Sequence, residues 1–302
     1  VVLVGPTGAG KTALGIRLAE FFQGEIVSAD SRQIYRDFNV GTGKPSLQEC
    51  VRVKHHLISA VSPHTVVTAA EYARLAKARL QDLESRGIPA FIVGGTGLWI
   101  RALVDGMAAT PPSDTALRAR LEQRAKEEGP EAMHAELARL DPITAERLPV
   151  GDRLRVIRAL EIIQLTGQPA SVLRDQPAQE LHPAIWLGVT RPRAELYARA
   201  EKRIDDWLTQ GWLDEVKHLL EQGLDAKCPA FQALGYSHLA RHLQGELSWD
   251  QTVALIKRDT RRYIKRQLTW FNANERITWF DLTREEDVWP ALQAEMAPKL
   301  KI

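Results

Sequence analysis

The sequence has only two cysteines, Cys50 and Cys228, and they lie too far apart to form a Cys-x-x-Cys pair. This scarcity argues against a disulfide scaffold and a cysteine zinc site, and it favours a reducing, cytoplasmic compartment. The sequence also lacks an apolar run of membrane-spanning length, so no membrane association is predicted.

The chain also carries little net charge, because 40 Lys and Arg stand against 38 Asp and Glu, which gives +2. A polyanionic partner would therefore have to be bound by a local basic patch. The 302 residues, 44% hydrophobic and 26% charged, are typical of a globular protein with one large core or two smaller ones. A disordered or fibrous protein is excluded.

The strongest motif is a glycine-rich phosphate-binding loop near the start of the chain. Residues 5–12 read GPTGAGKT and match G-x-x-x-x-G-K-T at every fixed position. Residues 1–4 are typical of a buried strand, and residues 12–22 have apolar positions at helical spacing. Strand, glycine loop and helix form the context that this motif requires.

Each residue type in this loop has a physical role. Gly5, Gly8 and Gly10 allow the backbone to turn sharply and to point N–H groups at an anion, at the positive end of a helix dipole. Lys11 can reach phosphate oxygens, and the hydroxyl of Thr12 can bind Mg²⁺. The loop therefore predicts a di- or triphosphate ligand, such as ATP, without specifying which.

A single acid follows the second predicted strand, residues 25–29. In parallel α/β sheets the carboxyl ends of the strands form the ligand-binding edge, which is where Asp30 stands. Asp30 could bind Mg²⁺, act as a general base, or cap the next turn.

The third predicted strand, residues 91–93, ends in a second glycine turn, GGTG at residues 94–97. An ATPase with a phosphate-binding loop usually has a Walker B acid at such a strand end. Its absence disfavours routine ATP hydrolysis.

The predicted fold class is α/β: a P-loop-type parallel sheet flanked by helices, with an all-helical insertion domain. The first part of the core spans residues 1–108, the helical insertion 109–183, and the returning core with a basic C-terminal helix 184–302. In the insertion, Arg155 and Arg158 share one face of a helix over residues 152–166. This face is either a solvated basic edge or a nucleic-acid contact.

Two weaker signals receive structural interpretations. Lys44, in the loop over residues 41–45, is expected to face solvent rather than phosphate. His55 and His56 are adjacent on a strand and point to opposite faces, so they are not expected to share a metal.

The last strong signal is a cationic stripe on a C-terminal helix. Cations recur there at four-residue steps, and we expect Asp259 to lie off their face, so that no acid interrupts it. A solvated helix is the alternative, but polyanion binding is favoured, with Tyr263, Trp270 and Phe271 as aromatic surfaces for base stacking or packing. The stripe consists of Lys257, Arg258, Arg261, Arg262, Lys265 and Arg266.

Over almost its whole length the chain resembles the bacterial tRNA dimethylallyltransferases, which prenylate the exocyclic N6 of adenosine 37 beside the anticodon. Beyond the phosphate loop, the resemblance rests on DSRQIY from residue 30, KHHLI from 54, GGTGLW from 94, RVIRALE from 155, LGY from 234 and TRRYIKRQLTW from 260.

The resemblance implies that the loop holds dimethylallyl diphosphate with Mg²⁺, and that Thr12 is the metal ligand. Asp30 would bind the adenine N6 and accept its proton, with Thr12 and Arg203 as the other catalytic residues. The implied diphosphate contacts are Gly5, Thr7, Gly8, Ala9, Gly10, Lys11, Thr12 and Arg203.

The implied partner is the anticodon stem-loop of tRNA, and no obligate protein partner is expected. The insertion would bind the anticodon arm. Together with the stripe, the expected RNA contacts are Asp30, Ser31, Arg32, Gln33, Thr96, Arg118, Leu154, Arg155, Val156, Ile157, Arg158, Gly235, Tyr236, Arg261, Arg262, Lys265, Arg266 and Trp270.

The chain departs from the family pattern at residues 149–151, which read PVG where His-Pro-Asn is common, and at Asn272, where Arg is common. Two other functions compete with prenyl transfer. A small-molecule kinase would use the phosphate loop but lacks the Walker B acid. An RNA-binding nucleotide switch would use the stripe but leaves Asp30 unexplained.

Overall fold

The computed structural model describes residues 1–107, 110–174, 184–225 and 227–300, without the side chains of residues 285–287 and 298–300. The chain divides into two compact units. The first consists of Val1–Val104 and His182–Ile302, and the second consists of Asp105–Leu181. The predicted insertion limits, residues 109 and 183, themselves lie outside the described residues.

The first unit contains a six-stranded, wholly parallel sheet with the order β3-β2-β4-β1-β5-β6. The glycine loop follows β1, at the centre of this sheet, and Asp30 follows β2. The strands are β1 (Val2–Val4), β2 (Glu25–Ala29), β3 (His55–His56), β4 (Ala90–Gly94), β5 (Trp186–Thr190) and β6 (Thr278–Asp281).

Helices cover both faces of the sheet, and the strand side chains alternate between two hydrophobic cores. Val2 and Val4 of β1 belong to one core and Leu3 to the other, as the period of two in a strand requires. The helices of this unit are α1 (Lys11–Phe21), α2 (Leu47–Arg52), α3 (Ala69–Ser85), α4 (Gly97–Val104), α10 (Arg193–Thr209), α11 (Trp212–Glu221), α12 (Tyr236–Leu243), α13 (Trp249–Asn272) and α14 (Glu285–Leu300).

The described residues of the second unit form helices and connecting loops without a strand, and they have their own core. Leu121, Leu137 and Leu160 are buried there at 1% exposure or less. Its helices are α5 (Thr115–Glu127), α6 (Gly129–Leu140), α7 (Pro142–Arg147), α8 (Arg153–Thr166) and α9 (Ala170–Arg174).

The predicted fold class is confirmed. The helix α8 begins after the Asp152 cap and ends at Gly167, which has a φ of 70°. Among the described residues, no helix combines the length and the apolar character needed to cross a bilayer.

Candidate active site

The glycine loop has the backbone geometry that its sequence requires. Gly5, Gly8 and Gly10 have backbone φ values of 152°, 86° and 107°, which residues other than glycine rarely adopt. A Cβ atom on Gly5 would lie 2.2 Å from the carbonyl oxygen of Val189 on β5. The glycines therefore permit both the turn and its close approach to the sheet.

Side chains from distant helices hold this loop from behind. Arg199 on α10 donates from Nε to the carbonyl of Gly8 at 2.9 Å. Gln267 on α13 accepts from the backbone N–H of Thr7 at 2.9 Å and donates to the carbonyl of Gly95 at 3.0 Å. Gln267 is 5% exposed, so it links the two glycine turns from a buried position. Sequence reasoning missed this residue, because a lone Gln inside a basic helix carries no motif.

Two neighbouring cavities meet at the carboxyl end of the sheet. The smaller one, about 270 Å³, is lined by Gly8, Lys11 and Thr12 of the glycine loop. The larger one, about 510 Å³, is lined by residues of α10, α12 and α13. The residues that line both cavities are Thr7, Asp30, Thr42, Arg203 and Trp207.

Asp30 is half-buried between these cavities, at the position predicted from β2. Its Oδ1 accepts from the backbone N–H groups of Arg32 at 2.8 Å and Gln33 at 3.3 Å. The carboxylate thus caps the turn after β2, which was one of the three roles predicted for Asp30. No described residue forms a hydrogen bond with Oδ2, so this oxygen is available to a ligand.

The phosphate end of the smaller cavity is cationic. Burial and, secondly, the charge of Arg203 lower the pKa of Lys11 to about 8, while Asp30 acts in the opposite direction. Burial also lowers the pKa of Arg203, with Arg199 as the second cause. Cations clustered at this cost are the arrangement expected where a polyanion binds.

Glycine is required where β4 ends, which explains the missing Walker B acid. A Cβ atom on Gly94 would lie 2.1 Å from the carbonyl oxygen of Ala29 on the neighbouring strand. An aspartate therefore cannot stand there without moving the sheet. The following Thr96 instead accepts from the backbone N–H of Ser31 at 3.0 Å, next to Asp30.

The residues around Thr12 fit a magnesium ion that is bound mainly by a ligand's phosphates. Thr12 and Asp30 both line the smaller cavity and carry oxygen donors. Mg²⁺ commonly takes one or two protein oxygens and completes its shell with phosphates and water. Among the described residues there is no group of three or more His, Cys, Asp or Glu that could hold a metal ion without such a ligand.

Lys44 is not the solvent-facing residue that its loop predicted. Its Nζ donates to the carbonyl of Tyr35 at 2.6 Å, to Asn39 Oδ1 at 2.9 Å and to Ser59 Oγ at 2.8 Å. Burial lowers its pKa to about 8. His56 follows its structural interpretation, because its Nε2 lies 2.5 Å from the carboxylate of Glu25, whereas His55 lines the smaller cavity.

Acids interrupt the cationic stripe on α13, contrary to the prediction. Asp259 pairs with Arg258 at 2.9 Å and with Arg262 at 3.3 Å. Lys257 pairs with an aspartate of α10 at 2.8 Å, and Arg261 pairs with a glutamate of the same helix. The prediction failed for two reasons. Asp259 lies within reach of its neighbours on α13, and the adjacent helix α10 carries acids that the sequence of α13 alone does not show.

Lys265 and Arg266 keep exposed positions, and no described acid forms an ion pair with them. Trp270 is 43% exposed and lies over Gly97, where a Cβ atom would come within 2.0 Å of its indole nitrogen. The guanidinium of Arg101 lies 5.4 Å from the indole ring centroid. The predicted RNA contacts Lys265, Arg266 and Trp270 are therefore accessible.

Several other predicted RNA contacts have structural roles instead. Tyr236 is fully buried, and Val156 and Ile157 are each 1% exposed, so we propose no RNA contact for these side chains. Arg158 is committed to the buried carboxylate of Glu161 at 2.6 Å. The same carboxylate lies 3.9 Å from the guanidinium of Arg118. Position 235 requires glycine for packing, because a Cβ atom there would lie 2.1 Å from the indole of Trp212.

Two predicted contacts in the helical unit remain exposed. The side chain of Arg155 is 72% exposed and pairs with Asp152 at 2.8 Å. Leu154 is 67% exposed beside it.

Gln33, a predicted RNA contact at the sheet edge, does not line the larger cavity. Its side-chain amide donates to the carbonyls of Thr42 at 3.3 Å and Gly43 at 2.8 Å.

Comparison with known proteins agrees with this geometry. The family model described as IPP transferase matches residues 33–274. A tRNA dimethylallyltransferase of Geotalea daltonii is 48% identical over 93% of this chain and 87% of its own length. The corresponding enzyme of Thermomicrobium roseum is 44% identical over 94% of this chain and 86% of its own.

Solved structures give the same result. The full-length tRNA isopentenylpyrophosphate transferase of Bacillus halodurans has a TM-score of 0.73 at 34% identity, covering 99% of this chain and 96% of that one. A eukaryotic dimethylallyltransferase, captured acting on tRNA, has a TM-score of 0.81 at 27% identity, covering 99% of this chain and 76% of its own.

Proposed function

The chain belongs to the IPP transferase family and is a tRNA-modifying transferase. On that premise we propose that it transfers a dimethylallyl group from dimethylallyl diphosphate to N6 of adenosine 37 beside the anticodon, and releases diphosphate. A tRNA substrate is also consistent with the predicted cytoplasmic location.

The observation that carries this proposal is the position of Asp30. Its carboxylate lies where a cavity built on a phosphate loop meets a larger cavity lined by α12 and α13. A diphosphate bound by Lys11 and an adenine entering from the larger cavity would both reach it. Asp30 would orient the N6 amine and accept its proton, since one carboxylate oxygen is held by the turn and the other is available.

The leaving diphosphate gains negative charge as the allylic bond breaks, so its stabilisation is the main electrostatic requirement. Lys11, Arg203 and the N–H groups of the glycine loop supply fixed positive charge and dipoles at that end of the cavity. Mg²⁺, held by Thr12 and the phosphates, would add charge neutralisation there. The adenine amine is a poor nucleophile, and its alignment by Asp30 offsets part of that weakness.

The size of the larger cavity, about 510 Å³, suits an extruded nucleotide. Adenine cannot reach Asp30 while stacked in the anticodon loop, so the base must leave its stack. Arg262, Arg266 and Arg32 line this cavity and can bind the backbone phosphates that accompany the base. Among the other predicted contacts, we retain Thr96, which is partly exposed, and Lys265 and Trp270, which are exposed.

Small-molecule phosphorylation is not favoured, since the close contact between Gly94 and Ala29 leaves no room for the missing acid. A nucleotide switch without chemistry would not require a carboxylate between the two cavities.

The proposal is tested by incubating the protein and Mg²⁺ with an unmodified anticodon stem-loop and either dimethylallyl diphosphate or ATP. The RNA is then digested and its nucleosides are analysed by mass spectrometry. We expect a prenylated adenosine with the allylic diphosphate alone, and none from a stem-loop with guanosine at position 37. ATP turnover without RNA modification would refute the proposal.

A further inference from the structure

The segment over residues 39–41 is held by two side chains that the mechanism above does not use. The carboxylate of Glu215 on α11 accepts through Oε2 from the backbone N–H groups of Asn39 at 3.0 Å and Val40 at 2.9 Å. Tyr236 donates from its hydroxyl to Glu215 Oε1 at 2.5 Å. The same hydroxyl accepts from the N–H of Gly41 at 3.1 Å. Three successive amides are thus bound by one side-chain pair.

The hydroxyl of Tyr236 keeps its proton. Tyr236 is fully buried, and burial raises the pKa of its hydroxyl well above the usual value, with Glu215 as the next cause. The hydroxyl therefore remains a hydrogen-bond donor at any working pH. A carboxylate that accepts several N–H groups is a stronger holding point than a neutral acceptor.

Two tryptophans fix the same segment sterically. A Cβ atom on Gly41 would lie 2.0 Å from the indole of Trp212, and one on Gly43 would lie 2.8 Å from Trp207. The bare backbone therefore lies directly against both rings. Hydrogen bonds on one side and aromatic rings on the other leave this loop little freedom to shift.

The loop leads directly into the reaction site. Thr42 lines both cavities, and Gly43 lines the smaller one together with residues of the glycine loop. Their carbonyls accept from the side-chain amide of Gln33, whose backbone N–H donates to Asp30. A displacement at residues 39–41 would thus reach both the wall of the diphosphate cavity and the turn that orients Asp30.

We propose that Glu215 and Tyr236 are positioning residues, which hold residues 39–43 as a fixed wall between the two cavities. This inference rests on the proposed function for its kinetic consequence, but the hydrogen bonds that define it can be tested without activity. Neither residue contacts the reacting atoms. The pair acts through the loop, and we do not expect it to determine the affinity for the stem-loop.

The variants are Glu215→Ala, Tyr236→Phe and the double variant. Glu215→Gln is the conservative change, because its single amide oxygen can still accept from the N–H groups of Asn39 and Val40, whereas its NH2 group cannot accept from the Tyr236 hydroxyl. Glu221→Ala is the matched control, because Glu221 is exposed on the same helix. The assays are amide hydrogen exchange over residues 38–45, steady-state kinetics with dimethylallyl diphosphate, stem-loop binding and thermal unfolding.

We expect faster exchange of the amides at residues 39–41 in Glu215→Ala. We expect kcat/KM for the allylic diphosphate to fall by roughly 10- to 100-fold, with stem-loop affinity within about twofold of wild type. The double variant should cost less than the sum of the single ones, because both side chains act on one loop. Glu215→Gln should recover part of the loss, because it keeps a neutral acceptor for the two amides but not the acceptor for Tyr236, and Glu221→Ala should match wild type.

Unchanged exchange at residues 39–41 in Glu215→Ala would overturn the proposal, and so would altered exchange with unchanged kcat/KM. A parallel loss of stem-loop binding and thermal stability in Glu215→Ala, without recovery in Glu215→Gln, would also overturn it, since this outcome indicates general unfolding. Failure of the proposed function has a different signature: wild-type protein would form no prenylated adenosine while the exchange difference persisted.

Discussion

Replacing Gln267 is expected to damage both stability and diphosphate binding, because this buried side chain joins two glycine turns. Gln267→Leu keeps most of the volume but removes the acceptor for the Thr7 N–H and the donor to the Gly95 carbonyl. A buried polar group that loses its partner costs about 1–3 kcal/mol. Thr7 faces the cavities, where water can replace the lost bond, whereas the bond to Gly95 is buried. We therefore expect the free energy of unfolding to fall by about 1–3 kcal/mol.

Urea unfolding and calorimetric titration with dimethylallyl diphosphate measure the two effects. Gln267→Glu keeps an acceptor for Thr7 but sets a second carboxylate oxygen against the Gly95 carbonyl, so it should be at least as unstable as the Leu variant. Thr269→Ala is the control, because this exposed hydroxyl donates only to the backbone of its own helix. A loss below about 0.5 kcal/mol in Gln267→Leu, with wild-type diphosphate affinity, would refute the reasoning.

Two further predictions follow from charge. The pKa of Lys11 is lowered to about 8, so its charge is lost as pH rises through this value; the affinity of free protein for diphosphate, measured by titration from pH 7 to 9.5, should fall above pH 8. An unchanged affinity over this range, or the same pH profile in Lys11→Met, would contradict the assignment. On α13, Lys265→Ala should reduce the salt slope of stem-loop binding by roughly 0.7–0.9, whereas Lys257→Ala, whose lysine is already paired, should change it less. Equal slopes in the two variants would contradict the division of the stripe into paired and free cations.

The sequence predicted those parts of the site that depend on local chain geometry. The glycine loop between β1 and α1, the position of Asp30 after β2 and the glycine turn after β4 all follow from strand ends and turn chemistry. The fold class was predictable because the helical insertion differs so clearly in pattern from the strands around it.

Contacts between distant segments could not be predicted. Gln267 reaches Thr7 across 260 positions, and no local pattern distinguishes it from a solvent-exposed glutamine. The stripe on α13 was predicted to be free of acids because Asp259 was expected to lie off its face, and because Glu201 belongs to another helix. Tyr236 was assigned to RNA from its motif, whereas burial and its bond to Glu215 give it a structural position.

The most direct test of the central claim is prenyl transfer by Asp30→Asn, measured as single turnover with saturating stem-loop and dimethylallyl diphosphate. The amide oxygen can still accept from the turn after β2, so the fold and diphosphate binding should be preserved while the proton acceptor is lost. General-base catalysis is worth about 10²–10⁴-fold, so we expect a fall in rate of at least about 100-fold with diphosphate affinity near wild type. A rate within about tenfold of wild type would contradict the assignment of Asp30 as the base.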